Sequence, residues 1–248
     1  TKKALLIDAD IVIFQHACIN QVRYDWDEET YSEVITPEEA IEEMKLFINN
    51  LRVATETEES PPLFCFSKGK SFRYDVLPSY KHNRKDKERP ILLETLKDYI
   101  KEHYRVLERE GLEADDIMGI LGSKHPDKYI IATLDKDLAQ IPEVWNYNWR
   151  TGVMESFSLE EADRFFWTQI LTGDPTDGYS GCPQIGSKRA ETILEGVTTE
   201  KEAWEAIVEA YEARGLTEED ALVQARVARI LRHTDFDEVN ERVILWTP

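Results

Sequence analysis

Cysteine is scarce: Cys18, Cys65 and Cys182 are the only three in 248 residues, scattered and without metal-ligand spacing. An odd, sparse count argues against a disulfide framework and fits a reducing compartment. Cys65 lies in the apolar run Leu63–Phe66, where a buried, inert thiol is expected. Long apolar runs are missing too. No stretch approaches the roughly 18 to 20 residues needed to span a bilayer. The opening Lys2-Lys3 and Ala4–Ile7 meet Asp8 too soon for a signal peptide. These absences predict a cytoplasmic protein with no membrane partner. There are no internal repeats and no low-complexity segments. Basic residues are the last shortage: 30 Lys and Arg face 49 Asp and Glu, a formal net charge of −19. A negative field repels phosphates, so the sum speaks against a polyanionic partner. Its distribution weakens that objection. Acid collects in surface helices at 38–43 and 200–219, whereas base collects at Lys68–Arg89. Carboxylates that hold cations also count as negative in the sum without acting so.

What is present is enough for a sizeable core, with 42% hydrophobic and 32% charged residues. Ala4–Ile7, Leu63–Phe66, Tyr104–Leu107 and Tyr129–Leu134 are short apolar or β-rich runs, as buried parallel strands require. Helical spacing separates them, at 40–51 after the capping signal Thr36-Pro37-Glu38-Glu39, at Ile91–His103 and at about 113–123. Strands alternating with helices predict an α/β sheet. After about Phe157 the pattern turns helical, opening on the capping signal Ser158-Leu159-Glu160-Glu161. Helices are expected at 161–171, 188–194, 200–214 and 218–231. The division is therefore an α/β part, 1–157, and a helical part, 158–248.

The carboxylates fall in a pattern. Asp8 and Asp10 follow the first strand, Glu113, Asp115 and Asp116 follow the third, and Asp135 and Asp137 follow the fourth. Ligands of an open parallel sheet gather beyond the carboxyl ends of its strands, so these clusters should converge on one edge. Asp174 and Asp177, in the turn 173–178, supply a fourth group. Any one cluster is ordinary, because acids cap helices and close turns. Together they would repel one another unless protonated or neutralised by cations. Oxygen donors without histidine or cysteine suit Mg²⁺ or Mn²⁺ rather than zinc. Two such ions about 3.5–4 Å apart are the arrangement for in-line phosphodiester hydrolysis.

Two further segments read as nucleic-acid contacts. Residues 67–74 and 78–85 mix cations with aromatics, including Arg73, Tyr80, Lys81 and Arg84. Cations neutralise phosphates and aromatic faces stack on unpaired bases, although a charged surface loop has the same composition. Lys81 and Arg84 are the candidates for the scissile phosphate, where positive charge stabilises the transition state. Gly181, Gly186, Ser187, Lys188 and Arg189 lie in a glycine-rich turn that opens a helix, a geometry suited to a backbone phosphate.

The segments LLIDAD at 5–10, FRYDVLPSYKHNR at 72–84, LEADD at 112–116, TLDKD at 133–137 and GDPTDGYSGCPQIGSKRA at 173–190 occur in this order. Together they resemble the flap-endonuclease and phage 5′–3′ exonuclease family. The last resembles its helix–three-turn–helix motif, and the tail from Leu216 to Pro248 resembles the exonucleases of T-odd coliphages. The resemblance implies a PIN-like, mostly parallel sheet flanked by helices, an arch within about 67–103, and a C-terminal duplex-binding region. It implies metal ligation by Asp8, Glu113, Asp115, Asp135, Asp137 and Asp177, with Asp116 and Asp174 close by. Asp8, Asp135, Lys81 and Arg84 would then carry the reaction, and Tyr80 would sit at the base of the arch. Two Mg²⁺ or Mn²⁺ ions are implied, and a K⁺ ion at the 178–188 turn. The substrates would be DNA with 5′ ends, flaps or nicks, with RNA–DNA hybrids as a further class, acted on by a monomer. One departure stands out: family members carry an aspartate just after the second strand, where this chain has Ser67-Lys68. That departure supports one rival, a junction-binding protein without catalysis; a second, a PIN-type RNase, is opposed by the duplex-binding motif at 173–190.

Overall fold

The computed structural model describes residues 2–26, 29–84 and 87–248, so Lys85 of the basic segment lies outside the described residues. β1 (Ala4–Asp8) runs directly into α1 (Ala9–Ile19), and the antiparallel pair β2 (Gln21–Trp26) and β3 (Glu29–Val34) leads to α2 (Pro37–Ala54). There follow β4 (Leu63–Cys65), α3 (Arg73–Val76), α4 (Leu93–His103), β5 (Arg105–Leu107), α5 (Ala114–Lys124) and β6 (Tyr129–Ala132). β7 (Trp145–Asn148) and β8 (Val153–Glu155) complete the sheet. Four helices come next: α6 (Leu159–Thr172), α7 (Ser187–Ile193), α8 (Glu200–Glu212) and α9 (Glu218–Ala228). The pair β9 (Phe236–Asp237) and β10 (Arg242–Val243) comes last.

The six-stranded sheet has the order β5-β4-β1-β6-β7-β8, parallel throughout except for the antiparallel edge strand β8. β1 is central because both its faces are covered. Leu5 and Ile7 pack with α1, α2 and α4, while Leu6 packs with α5 and with Ile230 and Leu231 from beyond α9. A strand buried on two sides reads as an unbroken apolar run, which is why Ala4–Ile7 lacks alternation. A third cluster joins α6 to α9 and includes Tyr80 from the α/β part. Three of its helices open on side-chain caps: Ser158, expected from the sequence, and Thr199 and Thr217 each accept a backbone N–H three residues on, from Glu161, Glu202 and Asp220.

The expected strands and helices form within a few residues of their predicted positions, whereas α1, β2, β3, β7 and β8 have no counterpart in the sequence reading. Thr133 and Leu134 leave the sheet, because the Thr133 hydroxyl accepts the Asp135 N–H and starts a 3₁₀ turn over Lys136–Gln140. α1 was not legible as a helix: Ile11, Val12, Ile13 and Phe14 give a continuous apolar run with no helical period. The arch expected within about 67–103 is limited, among the described residues, to the four-residue α3 and a 3₁₀ turn at His82–Arg84. α4 packs on α1 and α2 and belongs to the sheet's helical layer. No described helix is long and apolar enough to cross a membrane.

Candidate active site

Parallel pairing of β1 with β4 and β6 sets Asp8 opposite Cys65, and Ile7 opposite Ala132. Whatever follows these strands therefore meets at one edge. Asp8 is 2% exposed and caps α1, accepting the Ile11 N–H at 3.4 Å. The Thr133 hydroxyl donates to Asp8 Oδ2 at 2.8 Å, and Asp135 Oδ1 accepts the Asp137 N–H at 2.8 Å. Burial, then the Asp10 charge, pushes the Asp8 carboxyl up to about 7. Burial, then the Asp137 charge, pushes the Asp135 carboxyl up to about 6. Burial, followed by Asp135, Asp8 and Glu113, raises Asp115 well above the usual carboxylate range. Acids from three separate segments thus perturb one another. Carboxylates crowded this way hold protons unless a cation replaces them.

A second group adjoins the first. Carboxylate oxygens of Asp137, Asp174 and Asp177 all lie within 4.8 Å of one another. The 173–178 turn that carries two of them is fixed by contact between glycine backbones. A Cβ on Gly181 would stand 2.3 Å from the Gly173 nitrogen, and both glycines have positive φ. The Lys136 ammonium lies 2.8 Å from Asp137 and 3.1 Å from Asp174, a cation already seated among them. An all-carboxylate donor set with a seated cation fits hard, oxygen-preferring ions.

Several expectations need correction. Arg73, read as a DNA contact, is 1% exposed. Its guanidinium grips Asp116 at 2.7 and 2.8 Å and Glu113 at 2.7 Å, and donates to the carbonyls of Val227 and Arg229 at 2.9 and 2.6 Å. No donor remains for a phosphate. Asp116, read as lying close to the metals, is fully buried with both oxygens on Arg73, and it also accepts the N–H groups of Glu113 and Leu231. It is a strut between α5 and the C-terminal segment. Tyr80 is 3% exposed and donates its hydroxyl to Glu113 at 3.0 Å, so its ring is not open to bases. The Gly181 N–H is taken by Gln224 at 2.7 Å and is not available to a phosphate. Glu113 keeps its place at the edge but is heavily paired. Burial would raise its carboxyl, yet Arg73 and Lys81 outweigh this and hold it at about 2.

Sequence reasoning passed over Thr133, Ser71 and Lys136, and it read Ser67 only as the place of a missing acid. Thr133 links Asp8 to Asp135, Ser71 donates to Glu113 at 3.2 Å, and Lys136 bridges the second cluster. Ser67 accepts the Ala114 N–H at 3.0 Å, capping the start of α5, while its own N–H donates to Asp10 Oδ2 at 2.9 Å. A carboxylate therefore does reach the end of β4, supplied by α1. Lys68 turns away and pairs with Glu108 at 3.5 Å.

Comparison with known proteins agrees with this geometry. The family described as "5′–3′ exonuclease, N-terminal resolvase-like domain" matches residues 3–163. The chain belongs to the 5′–3′ exonuclease family. An exodeoxyribonuclease of Enterobacteria phage T3 is 26% identical over all of this chain and 93% of its own length. An exonuclease of Escherichia phage T7 is 25% identical over all of this chain and 94% of its own. Its fold resembles that of a bacteriophage T5 protein crystallised with metal ions, at TM-score 0.66 and 17% identity, over 91% of this chain and 88% of that one.

In this 5′–3′ exonuclease the cations expected at the scissile phosphate are docked on acids. Lys81 pairs with Glu113 and lies 3.8 Å from Asp177, and its backbone N–H donates to the Asp177 carbonyl at 2.9 Å. Arg84 donates to Asp177 Oδ1 at 2.8 Å and to the Thr176 carbonyl at 3.3 Å. Both cations thus border the second acidic group. Gly186, Ser187, Lys188 and Arg189 are exposed at the start of α7, with Arg189 also donating to the Gln184 carbonyl at 2.7 Å.

Proposed function

We propose that this exonuclease hydrolyses DNA phosphodiesters beside 5′ ends, flaps or nicks, using two Mg²⁺ or Mn²⁺ ions. The observation that carries this reading is that parallel β1 and β6 end together, so that Thr133 donates to Asp8 and accepts the Asp135 N–H, with Asp115 from a third segment close enough for both carboxyls to raise its own. These three would hold one ion, with Asp10 substituting for the acid missing at Ser67-Lys68, and Asp137, Asp174 and Asp177 would hold the other. Bound divalent cations supply Lewis acidity and lower the pKa of water. The protein's own groups do the rest. Lys81 and Arg84 move from Glu113 and Asp177 to the scissile phosphate, where charge develops in the transition state. Glu113, freed of Lys81, faces the same edge. Gly186–Arg189 would meet the duplex backbone, and the 178–188 turn would hold a K⁺ ion whose charge offsets a duplex phosphate. Residues 158–248 would form the duplex-gripping part, with 1–157 as the nuclease part.

A bacteriophage T5 flap endonuclease of similar fold has been crystallised with DNA and metal ions, which supports DNA as the substrate here. The phage T3 and T7 relatives support a phage setting, and we read the role as DNA replication or degradation by a monomer in the host cytoplasm, with RNA–DNA hybrids as a second substrate. Asp135→Asn tests the reading. Turnover of labelled flapped DNA with Mg²⁺ should fall by orders of magnitude, while affinity measured in Ca²⁺ changes little. Unchanged cleavage would remove Asp135 from the site.

A further inference from the structure

Lys136 stands between two acids in sequence and between two in space. The 3₁₀ turn carries its stem back over Asp137, and the ammonium reaches Asp137 Oδ1 at 2.8 Å and Asp174 Oδ2 at 3.1 Å. Those carboxylates, with Asp177, form the group whose oxygens come within 4.8 Å. Burial would raise Asp174, but its hydrogen bond from Lys136, together with one from the Thr176 N–H, holds it below the usual range. The lysine side chain is 70% exposed, whereas its partners Asp137 and Asp174 are 6% and 11% exposed. The cation is therefore on the solvent side of buried anions, on a flexible stem with room to swing outward. Lys81 differs: its side chain is only 17% exposed and its backbone N–H is bonded to Asp177.

We propose that Lys136 is a resident counter-cation that pairs with Asp137 and Asp174 in the metal-free protein and must leave before a divalent ion enters the Asp137–Asp174–Asp177 group. The lysine thus competes with the second metal and sets the concentration at which the site fills. This rests on the reading that these three acids hold an ion. Two consequences follow without any chemical step. Removing the charge takes the cation from Asp137 and Asp174, while Asp177 keeps Arg84, so the metal-free protein loses stability. The same removal deletes a competitor, so the ion binds more tightly.

The experiment uses the full chain, stripped with chelator, and the variants Lys136→Met, Lys136→Arg and Asp174→Asn. Mn²⁺ binding is followed by calorimetry and thermal melting is recorded with and without Mn²⁺. Lys136→Met keeps the stem's bulk; it should bind its weaker Mn²⁺ roughly three- to tenfold more tightly, as expected for losing two partly exposed ion pairs. It should melt lower than the parent in chelator and regain that loss in Mn²⁺. Lys136→Arg should bind Mn²⁺ within about twofold of the parent, since it keeps the charge. Asp174→Asn should lose one Mn²⁺. If it binds the full complement, the metal reading of this cluster fails. If it loses an ion while Lys136→Met binds no more tightly than the parent, the metal reading stands and the competitor role of Lys136 is overturned.

Discussion

Arg73 offers the sharpest perturbation, because its buried interactions replace the DNA contact that its sequence context suggests. Arg73→Met keeps most of the stem and removes the guanidinium, leaving Asp116 without a counter-ion at 0% exposure. Breaking a buried, hydrogen-bonded ion pair from one side costs about 3–5 kcal/mol. The carbonyls of Val227 and Arg229 lose donors as well, at about 1–3 kcal/mol each if they stay dry, though such losses do not add. Against a typical total of 5–15 kcal/mol the variant should be severely weakened. Urea unfolding followed by circular dichroism measures this, and the midpoint should fall sharply. Removing both partners is gentler than removing one, so Arg73→Met with Asp116→Leu should recover a large part of the loss. DNA affinity of the folded fraction in Ca²⁺ should stay near that of the parent. A stability change below about 0.5 kcal/mol, together with lost DNA affinity, would refute the strut and restore Arg73 as a contact.

The metal-free protein should lose stability between about pH 4 and pH 7. Asp8 is raised to about 7 and Asp135 to about 6, so the folded state favours their protonated forms and rising pH withdraws that preference. For Asp8 this preference amounts to roughly 4 kcal/mol at most, shared with the acids that titrate beside it. Urea midpoints measured across this range in chelator should fall with pH, and Asp8→Asn should flatten the slope; a rising midpoint in the parent would contradict the crowding. Asp10→Asn should lower turnover at limiting Mg²⁺ by about tenfold or more, in keeping with a lost oxygen ligand. Adding Ser67→Asp should recover part of it, and an Asp10→Asn enzyme with parental metal dependence would deny Asp10 the ligand role.

Local signals carried much of this structure. The apolar run Ala4–Ile7, the acids after it and the capping serine at 158 all act within a few residues, and each sits where its chemistry predicts. What could not be read was long-range pairing. Asp115 and Asp116 are neighbours of one residue type, yet one belongs to the acidic edge and the other to a strut. The difference is made by Arg73, 43 residues away from Asp116. Arg73 was misread for the same reason, since its carbonyl partners lie 154 and 156 residues on. α1 was hidden because its apolar residues go around the helix, leaving Phe14 and Ile19 exposed at 53% and 63%. The place of Asp10 depends on a strand end 57 residues away, which no spacing within LLIDAD reveals.

Crystals of the protein grown with Mn²⁺ and measured for anomalous scattering address the convergence of distant acids most directly. One ion should sit among Asp8, Asp115 and Asp135 and another among Asp137, Asp174 and Asp177, with the Lys136 ammonium displaced from the latter. Manganese found only on other faces of the molecule, with these carboxylates unliganded at saturating concentration, would contradict a shared metal centre.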